Sequence, residues 1–325
     1  MQTLRPVLRL YAPAKINLFL RVAPVRADGF HPIVSWMVTV GLYDELEMTS
    51  IEMSTLALPD GVELSCDTPD IPTDDRNLVV RVVKRVLGSL THGSGKTPVR
   101  QDGLRESAEE GGMVSGSPGP QGARVTLTKR IPAGGGLGGG SSDAVSALNG
   151  ILALNGVYWT NAHKTEVLSE FGSDLPFFLH APSAVCTGRG EVVSPAPAPV
   201  RARWSLLMFP DLAMPTPSVY RRFDEMRLGA SEADMIAPDL TDWSTFASVS
   251  LMSRLINDLE PPAFDLRPDL GYLRMSAEQT LGRPVRMSGS GSTLFTLFDT
   301  REEATRASEK LKIKTVVTDV APAPV

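Results

Sequence analysis

The sequence predicts an α+β fold divided into two domains, and three observations support that prediction. The 325 residues are more than a single hydrophobic core usually serves. Segments with strand periodicity are mixed with helical segments, without the regular strand–helix alternation that builds a parallel sheet. No internal repeat is visible in the chain. We place the domain boundary at about Gly156, which gives an N-terminal domain of residues 1–156 and a C-terminal domain of residues 157–325.

In the N-terminal domain, strands are predicted where apolar and polar residues alternate, and helices where apolar residues recur every three or four positions. The strands are residues 8–22, 33–51, 62–66 and 124–129. The helices are residues 76–90, which Asp74 or Asp75 would cap, and residues 142–155, which another helical stretch follows.

In the C-terminal domain the same patterns predict four strands and four helices. The strands are residues 204–209, 285–287, 293–298 and 315–320, and the helices lie near residues 218–227, 247–259, 266–281 and 301–311.

Two segments have the composition of linkers. Residues 194–200, SPAPAPV, are predicted to be a stiff extended connector. Residues 91–122 are crowded with Gly, Ser, Pro and Glu and hold almost no large apolar side chains. Because such a segment cannot bury enough apolar surface to order itself, we predict a disordered insertion in the N-terminal domain.

Composition and charge exclude several classes of protein. The formal net charge of -5 argues against a nucleic-acid surface as the main purpose of the chain. Cys66 and Cys186 are far apart in sequence and the 4 histidines form no metal-binding pattern, so we expect reduced thiols in a cytoplasmic protein. No apolar run is long enough to span a bilayer, and the N-terminus does not resemble a signal peptide.

The segment IPAGGGLGGGSSDA, residues 131–144, is the most informative part of the chain. Every residue from Gly134 to Gly140 except Leu137 is glycine. Such a cluster is typical of a backbone that adopts positive φ or approaches a ligand closely, and phosphate is the usual ligand. The following helix adds the positive end of its dipole, and its first residues Ser141, Ser142 and Asp143 supply N-cap chemistry. A flexible linker is the alternative, which the flanking strand and helix disfavour.

Two other phosphate-binding patterns are weaker. The spacing Gly134-x-Gly136-x-x-Gly139 matches a dinucleotide fingerprint, but the helix is not followed by a short strand-like segment that ends in an acid. Residues 93–97, GSGKT, look like the end of a P-loop, but Leu90 stands where its first glycine belongs. We interpret GSGKT as part of the linker.

Four further clusters hold residues with useful chemistry. Lys15 and Asn17 lie two apart on an apolar strand and so face one side, unless this is an edge strand with a snorkelling lysine. Residues 28–31, DGFH, form a turn that presents an aromatic ring and an imidazole, or a simple hairpin loop. Asp174 precedes an apolar stretch, where a buried carboxylate needs a cation such as Lys15; it would equally suit a helix N-cap. Residues 287–293 are a short Gly/Ser loop between two strands, a hairpin turn whose small residues could also line the back of a phosphate site.

Together these segments resemble the GHMP kinases, the superfamily of galactokinase, homoserine kinase and mevalonate kinase. PAKINLFL at residues 13–20, the glycine segment, and MSGSGS at residues 287–292 are similar to its three ordered motifs. DGFHPI, GSDLPFFL and MPTPSVY are similar to segments of the branch that phosphorylates the 2-hydroxyl of a methylerythritol linked to cytidine diphosphate, in the non-mevalonate isoprenoid pathway. The resemblance covers nearly the whole chain except residues 91–122, and it implies the two-domain GHMP kinase fold.

The resemblance implies a role for each matched residue. Asp174 matches the catalytic acid that accepts the substrate's proton as a carboxylate, and Lys15 matches its partner. The ATP-binding residues would be Pro132, Ala133, Gly134, Gly135, Gly136, Leu137, Gly138, Gly139, Gly140, Ser141, Ser142 and Asn77, with Ser141 or Ser142 close to Mg²⁺. The substrate-binding residues would be Asn17, Phe30, His31, Thr216 and Tyr220, with Phe30 and Tyr220 stacked on the cytosine. Phe30 stands where Tyr is common and Tyr220 where Phe is usual, and both rings can stack.

The expected cofactors are therefore ATP and Mg²⁺, and the expected partner is a small-molecule substrate, with no nucleic acid, no membrane and at most a weak homodimer. Two alternatives remain. A GHMP kinase for another alcohol would have no use for the aromatic residues of DGFH and PTPSVY. A catalytically inactive binding protein of the same fold would not need Lys15, Asp174 and the glycine loop together.

Overall fold

The computed structural model describes residues 7–52, 61–91 and 120–323. Contacts between residues group the chain into two compact units, each built from separate stretches of sequence. The first unit consists of the described residues within Met1–Ala12, Tyr43–Arg130 and Gly140–Leu175, and the second of those within Pro13–Leu42, Ile131–Gly139 and Pro176–Val325. The division into residues 1–156 and 157–325 is a different grouping and stays a prediction.

The first unit combines paired strands with helices. Strand β4 (Gln121–Thr128) pairs in parallel with β3 (Val62–Cys66) and antiparallel with the second half of β2 (Ile33–Glu52), where Glu45 lies opposite Thr128. The helices are α1 (Leu78–Thr91), α2 (Gly139–Leu154) and α3 (Asn161–Leu168). The buried face of α1 consists of Val79, Val80, Val82, Val83, Val86 and Leu87.

Two sets of strands form the framework of the second unit. The first half of β2 pairs antiparallel with β5 (Ser183–Thr187), and β5 pairs with β6 (Val192–Pro195). Strand β1 (Leu8–Val22), which pairs with β2, enters this unit at Pro13. A second, antiparallel sheet consists of β7 (Trp204–Phe209), β8 (Arg286–Met287), β9 (Leu294–Phe298) and β10 (Lys314–Asp319), in the order β10-β7-β9-β8.

The second unit also contains helices, which connect these strands along the chain. They are α4 (Thr216–Glu225), α5 (Leu240–Trp243), α6 (Ser248–Met252), α7 (Glu260–Leu266), α8 (Pro268–Leu281) and α9 (Arg301–Ser308), with short 3-10 helices at Leu175–Leu179 and Glu232–Asp234. A buried apolar cluster includes Ile16, Leu18, Trp36 and Phe295. Because alternate residues of a strand face opposite sides, Lys15 and Asn17 point away from Ile16. The mixture of helices and largely antiparallel strands confirms the α+β prediction.

Several predicted helix boundaries are wrong by a few residues, each for a local reason. Helix α1 begins at Leu78 because Asn77 caps it: the side-chain oxygen of Asn77 accepts the N–H of Val79 at 2.9 Å. The predicted cap Asp74 instead binds Arg76. Helix α2 begins at Gly139 and not at the predicted Ser142, so Ser141, Ser142 and Asp143, expected to supply its N-cap, lie in its first turn.

The predicted linkers also need correction. Thr91 ends α1 and Gly122 lies in β4, so both ends of the predicted insertion belong to regular elements, whereas residues 92–119 lie outside the described residues. Ser194 and Pro195 of the predicted connector belong to β6. The predicted helix at residues 247–259 is the short α6 followed by a non-helical stretch. Among the described helices, none combines the length and the apolar character needed to cross a bilayer.

Candidate active site

The glycine loop in the second unit has the backbone that its composition predicts. Gly134, Gly136 and Gly138 have φ values of 68, 76 and 68°, in the left-handed region that other residues rarely adopt. Gly136 also needs its lack of a side chain, because a Cβ there would lie 2.2 Å from the carbonyl oxygen of Ser288. The loop therefore lies in direct contact with the Gly/Ser loop of residues 287–293.

Lys15 is a buried cation against the glycine loop. Its Nζ donates to the Gly136 carbonyl at 2.7 Å and to Asn17 Oδ1 at 2.6 Å. Its backbone N–H donates to the carbonyl of Leu137 at 2.8 Å. Lys15 is 6% exposed and Asn17 4%, so the predicted shared face is confirmed, and the alternative of a snorkelling lysine is wrong.

Asn17 joins the three motif segments of the second unit. Its side-chain amide donates to Ser35 Oγ at 2.8 Å, and its backbone N–H donates to Ser288 Oγ at 3.3 Å. Ser288 Oγ in turn donates to the Gly136 carbonyl at 2.9 Å. Strand β1, the glycine loop and the Gly/Ser loop are thus joined by hydrogen bonds. Residues 287–293 connect the antiparallel pair β8 and β9, which confirms the hairpin turn, and their place in a phosphate site stays a prediction.

Asn257 and Glu260, which the sequence analysis missed, hold the backbone of the Gly/Ser loop by hydrogen bonds. The amide of Asn257 donates to the carbonyls of Met287 and Gly289, both at 2.8 Å. Glu260 Oε1 accepts the backbone N–H of Met287 at 2.8 Å, and burial raises the pKa of this carboxyl. The local sequence of residues 257–262, NDLEPP, has no pattern that marks these two residues.

In the first unit, Asp174 lies directly before the 3-10 helix Leu175–Leu179 and beside the start of α2. Ser141 Oγ donates to Asp174 Oδ1 at 2.9 Å. Asp174 is partly exposed, so the expectation of a buried carboxylate is wrong. Lys15 belongs to the second unit, and its pairing with Asp174 stays a prediction.

A buried charge cluster, which the sequence analysis also missed, joins Asp143 in the first turn of α2 to Lys129 and Asp44. Lys129 donates to Asp143 Oδ2 at 2.8 Å and also to Asp44 Oδ2. Burial raises the pKa of Asp143 to about 7; Lys129 opposes that rise and Asp44 adds to it. Within the described residues, Asp143 Oδ1 and the neighbouring Ser142 Oγ are buried without a hydrogen-bond partner. Asp143 is therefore half of an ion pair and not the predicted N-cap.

The predicted cytosine-binding residues gather in the second unit. The rings of His31 and Tyr220 lie 5.0 Å apart, and Phe30 is 48% exposed. His31 Nδ1 lies 2.9 Å from the Ala23 carbonyl oxygen, and its Nε2 lies 3.5 Å from Asp224 Oδ2. Thr216 Oγ1 shares a hydrogen bond of 2.7 Å with Ser290 of the Gly/Ser loop.

Asn77, predicted to lie beside adenine, is in the first unit. Its side-chain oxygen caps α1, and its amide nitrogen donates to the Pro72 carbonyl at 2.7 Å. The local turn accounts for these contacts, and its role beside adenine stays a prediction.

Comparison with known proteins agrees with this geometry. Residues 103–181 match the family model of the GHMP kinase N-terminal domain, and residues 234–316 match that of the C-terminal domain. The 4-diphosphocytidyl-2-C-methyl-D-erythritol kinase of Desulfotalea psychrophila is 33% identical over 90% of this chain and 85% of its own length. The enzyme of the same name from Cereibacter sphaeroides strain KD131 is 32% identical, over 93% of both chains.

Solved structures extend the likeness to the fold. A crystal structure of 4-(cytidine 5'-diphospho)-2C-methyl-D-erythritol kinase, 29% identical, has a TM-score of 0.71 and covers 97% of this chain and 100% of its own. Homoserine kinase from Cytophaga hutchinsonii, 17% identical, shares the fold with a TM-score of 0.61, over 100% of this chain and 97% of its own. The chain therefore belongs to the GHMP kinases and, within them, to the family of the 4-diphosphocytidyl-2-C-methyl-D-erythritol kinases.

Proposed function

We propose that this protein transfers the γ-phosphoryl group of ATP to the 2-hydroxyl of 4-diphosphocytidyl-2-C-methyl-D-erythritol, a step of the non-mevalonate isoprenoid pathway. The observation that carries the proposal is the joining of Lys15, Asn17, the left-handed glycine loop and the Gly/Ser loop by short hydrogen bonds. The family of the relatives supplies the substrate.

The glycine loop is assigned to the phosphates of ATP. The loop continues into helix α2, whose N-terminus favours negative charge, and the backbone N–H groups of the loop are the phosphate donors. Lys15 holds the loop from one side through the Gly136 carbonyl. The remaining ATP-binding assignments, from Pro132 to Ser142 and at Asn77, follow from the resemblance.

The residues at the start of α2 suit Mg²⁺, which needs few protein ligands, better than a cation that protein ligands must surround. No cluster of three or more His, Cys, Asp or Glu side chains able to hold a metal occurs among the described residues. Ser142 Oγ is buried without a hydrogen-bond partner among the described residues, and Ser141 Oγ donates to the carboxylate of Asp174. A serine hydroxyl with this one carboxylate nearby fits a cation that keeps several waters and binds phosphate oxygens. Bound Mg²⁺ would neutralise phosphate charge during transfer.

Asp174 is assigned as the proton acceptor. The 2-hydroxyl oxygen forms a bond to the γ-phosphorus as the bond to the bridging oxygen of ADP breaks, and the hydroxyl proton passes to a carboxylate oxygen of Asp174. The hydrogen bond from Ser141 fixes the orientation of the Asp174 carboxylate. Because Asp174 is partly exposed, the substrate hydroxyl can reach it. Lys15 is assigned its family role, which is to hold the carboxylate ionised and orient the hydroxyl.

The cytidyl group is assigned to Phe30, His31 and Tyr220. Phe30 and Tyr220 would stack on the two faces of the cytosine, and His31 would hydrogen-bond it. Thr216 and Asn17 would line the substrate pocket. We further propose a cytoplasmic enzyme without a nucleic-acid partner, and at most a weak homodimer.

The test is turnover by the purified protein with ATP, Mg²⁺ and a panel of alcohols: the cytidine diphosphate substrate, homoserine, mevalonate and galactose. We expect ADP release and a phosphorylated product with the first alcohol only. Turnover of another alcohol would replace the substrate assignment. Binding of ATP without turnover of any alcohol would identify a binding protein of the same fold.

A further inference from the structure

The hairpin between β5 and β6 presents one arginine at its tip. Thr187 and Val192 are opposite each other in the strand pair, and residues 188–191 form the loop between them. The backbone N–H of Arg189 donates to Glu191 Oε2 at 2.6 Å, which fixes the turn. The carbonyl of Gly188 accepts the N–H of Ile33 at 2.8 Å. The tip is therefore tied to the chain directly after the DGFH turn.

Arg189 stacks on the exposed aromatic residue of that turn. Its guanidinium carbon lies 4.3 Å from the centre of the Phe30 ring, within the range of a cation–π contact. The turn itself is held by Asp28, whose Oδ1 accepts the N–H of Phe30 at 3.0 Å. One face of Phe30 thus has a fixed partner, and a cytosine would stack on the other.

The charge of Arg189 is only weakly compensated. Its Nε lies 3.9 Å from Asp28 Oδ2, beyond hydrogen-bond distance. The neighbouring Arg26, by contrast, uses both Nε and Nη2 to bind Glu232. A guanidinium has five N–H donors in one plane, and a group that stacks by its face keeps those donors available at its edge.

This arrangement suits one end of the substrate in particular. A cytidine diphosphate group joins a flat base to a pair of negatively charged phosphates, and the planar guanidinium binds phosphate oxygens by paired hydrogen bonds. We propose that Arg189 is a further substrate-binding residue, which supports Phe30 from its outer face and binds the diphosphate of the cytidyl group through its in-plane N–H donors. The inference rests on the proposed function.

Steady-state kinetics of Arg189→Ala test it, with KM measured separately for the cytidine diphosphate substrate and for ATP. Losing a hydrogen bond to a charged group should raise the first KM roughly tenfold. The KM for ATP should stay within about twofold, because the phosphates of ATP are assigned to the glycine loop. Arg189→Lys should recover part of the loss, since it keeps the charge without the planar stack.

Salt dependence separates charge from packing. An exposed charge pair is screened over about 8 Å at physiological ionic strength, so the wild-type KM should rise with salt more steeply than that of Arg189→Ala. Arg254→Ala is the matched control, because Arg254 is also exposed and lies 4.6 Å from the ring of Phe246 in the same unit. Melting curves should show both variants folded.

Failure of this inference and failure of the proposed function give different results. If the wild-type protein does not turn over the cytidine diphosphate substrate, the proposed function fails. If it does, and Tyr220→Ala raises the KM while Arg189→Ala behaves like Arg254→Ala, then Arg189 does not bind substrate and the function stands. An unchanged salt dependence in Arg189→Ala with a raised KM would overturn the contact with the diphosphate.

Discussion

Asp143 and Asp174 both lie at the start of helix α2, but their surroundings are opposite. Asp143 is buried, shares Lys129 with a second carboxylate and has a pKa raised to about 7 by burial. Asp174 is partly exposed and accepts a hydrogen bond from Ser141. Burial with a fixed cation is typical of a structural acid, whereas a proton acceptor must be reached by its substrate. We therefore assign Asp143 to stabilising the fold and Asp174 to accepting the proton.

The largest expected effect comes from Asp174→Asn. Removing a general base should lower kcat by about 10²–10⁴-fold, with the affinity for ATP and the melting temperature little changed. Asp143→Asn, the same kind of substitution at the aspartate that follows Ser141 and Ser142, should mainly change the free energy of unfolding. Equal losses of kcat in the two variants, or near-normal kcat in Asp174→Asn, would contradict the separation of roles.

Lys129→Met should show the next largest effect, on the free energy of unfolding. Removing one partner of a buried ion pair leaves uncompensated charge and typically costs about 3–5 kcal/mol. The two carboxylates can escape part of that cost by binding protons, so the loss should be larger at pH 8 than at pH 5.5. Denaturant unfolding at both pH values measures it. A loss independent of pH would mean that lost packing, and not charge, is responsible.

The same comparison shows how far sequence reasoning reaches. The left-handed glycines and the shared face of Lys15 and Asn17 were predictable, because both depend on neighbouring residues and strand periodicity. The pairing of Lys129 with Asp44 was not, because the two are 85 residues apart and neither position has a local pattern. Asn257 and Glu260 escaped detection for the same reason.

Strand β5 was missed for a related reason. Ser183–Thr187 is a short apolar run, which periodicity alone does not distinguish from a helical segment, and its pairing with β2 decides its conformation.

The pH dependence of stability provides a third, smaller test on Asp143. A carboxyl whose folded pKa is raised stabilises the fold fully below its unfolded pKa, and that contribution is lost as the pH rises through the folded value of about 7. The stability of the wild type relative to Asp143→Asn should therefore fall between about pH 4 and pH 7, by up to about 4 kcal/mol, and then level off. A difference that grows with rising pH would show that Asp143 is ionised throughout and stabilised by Lys129.

The smallest expected effect separates the two adjacent serines of α2. Ser141→Ala removes the hydroxyl that donates to Asp174, and losing one hydrogen bond to a charged acceptor should lower kcat about tenfold. Ser142→Ala is the matched control: its hydroxyl has no hydrogen-bond partner among the residues that the structure describes, so it should leave kcat at saturating Mg²⁺ close to that of the wild type and change the Mg²⁺ concentration needed for half-maximal rate. If Ser142→Ala lowers kcat about tenfold at saturating Mg²⁺ and Ser141→Ala does not, the hydroxyl that orients the base is that of Ser142.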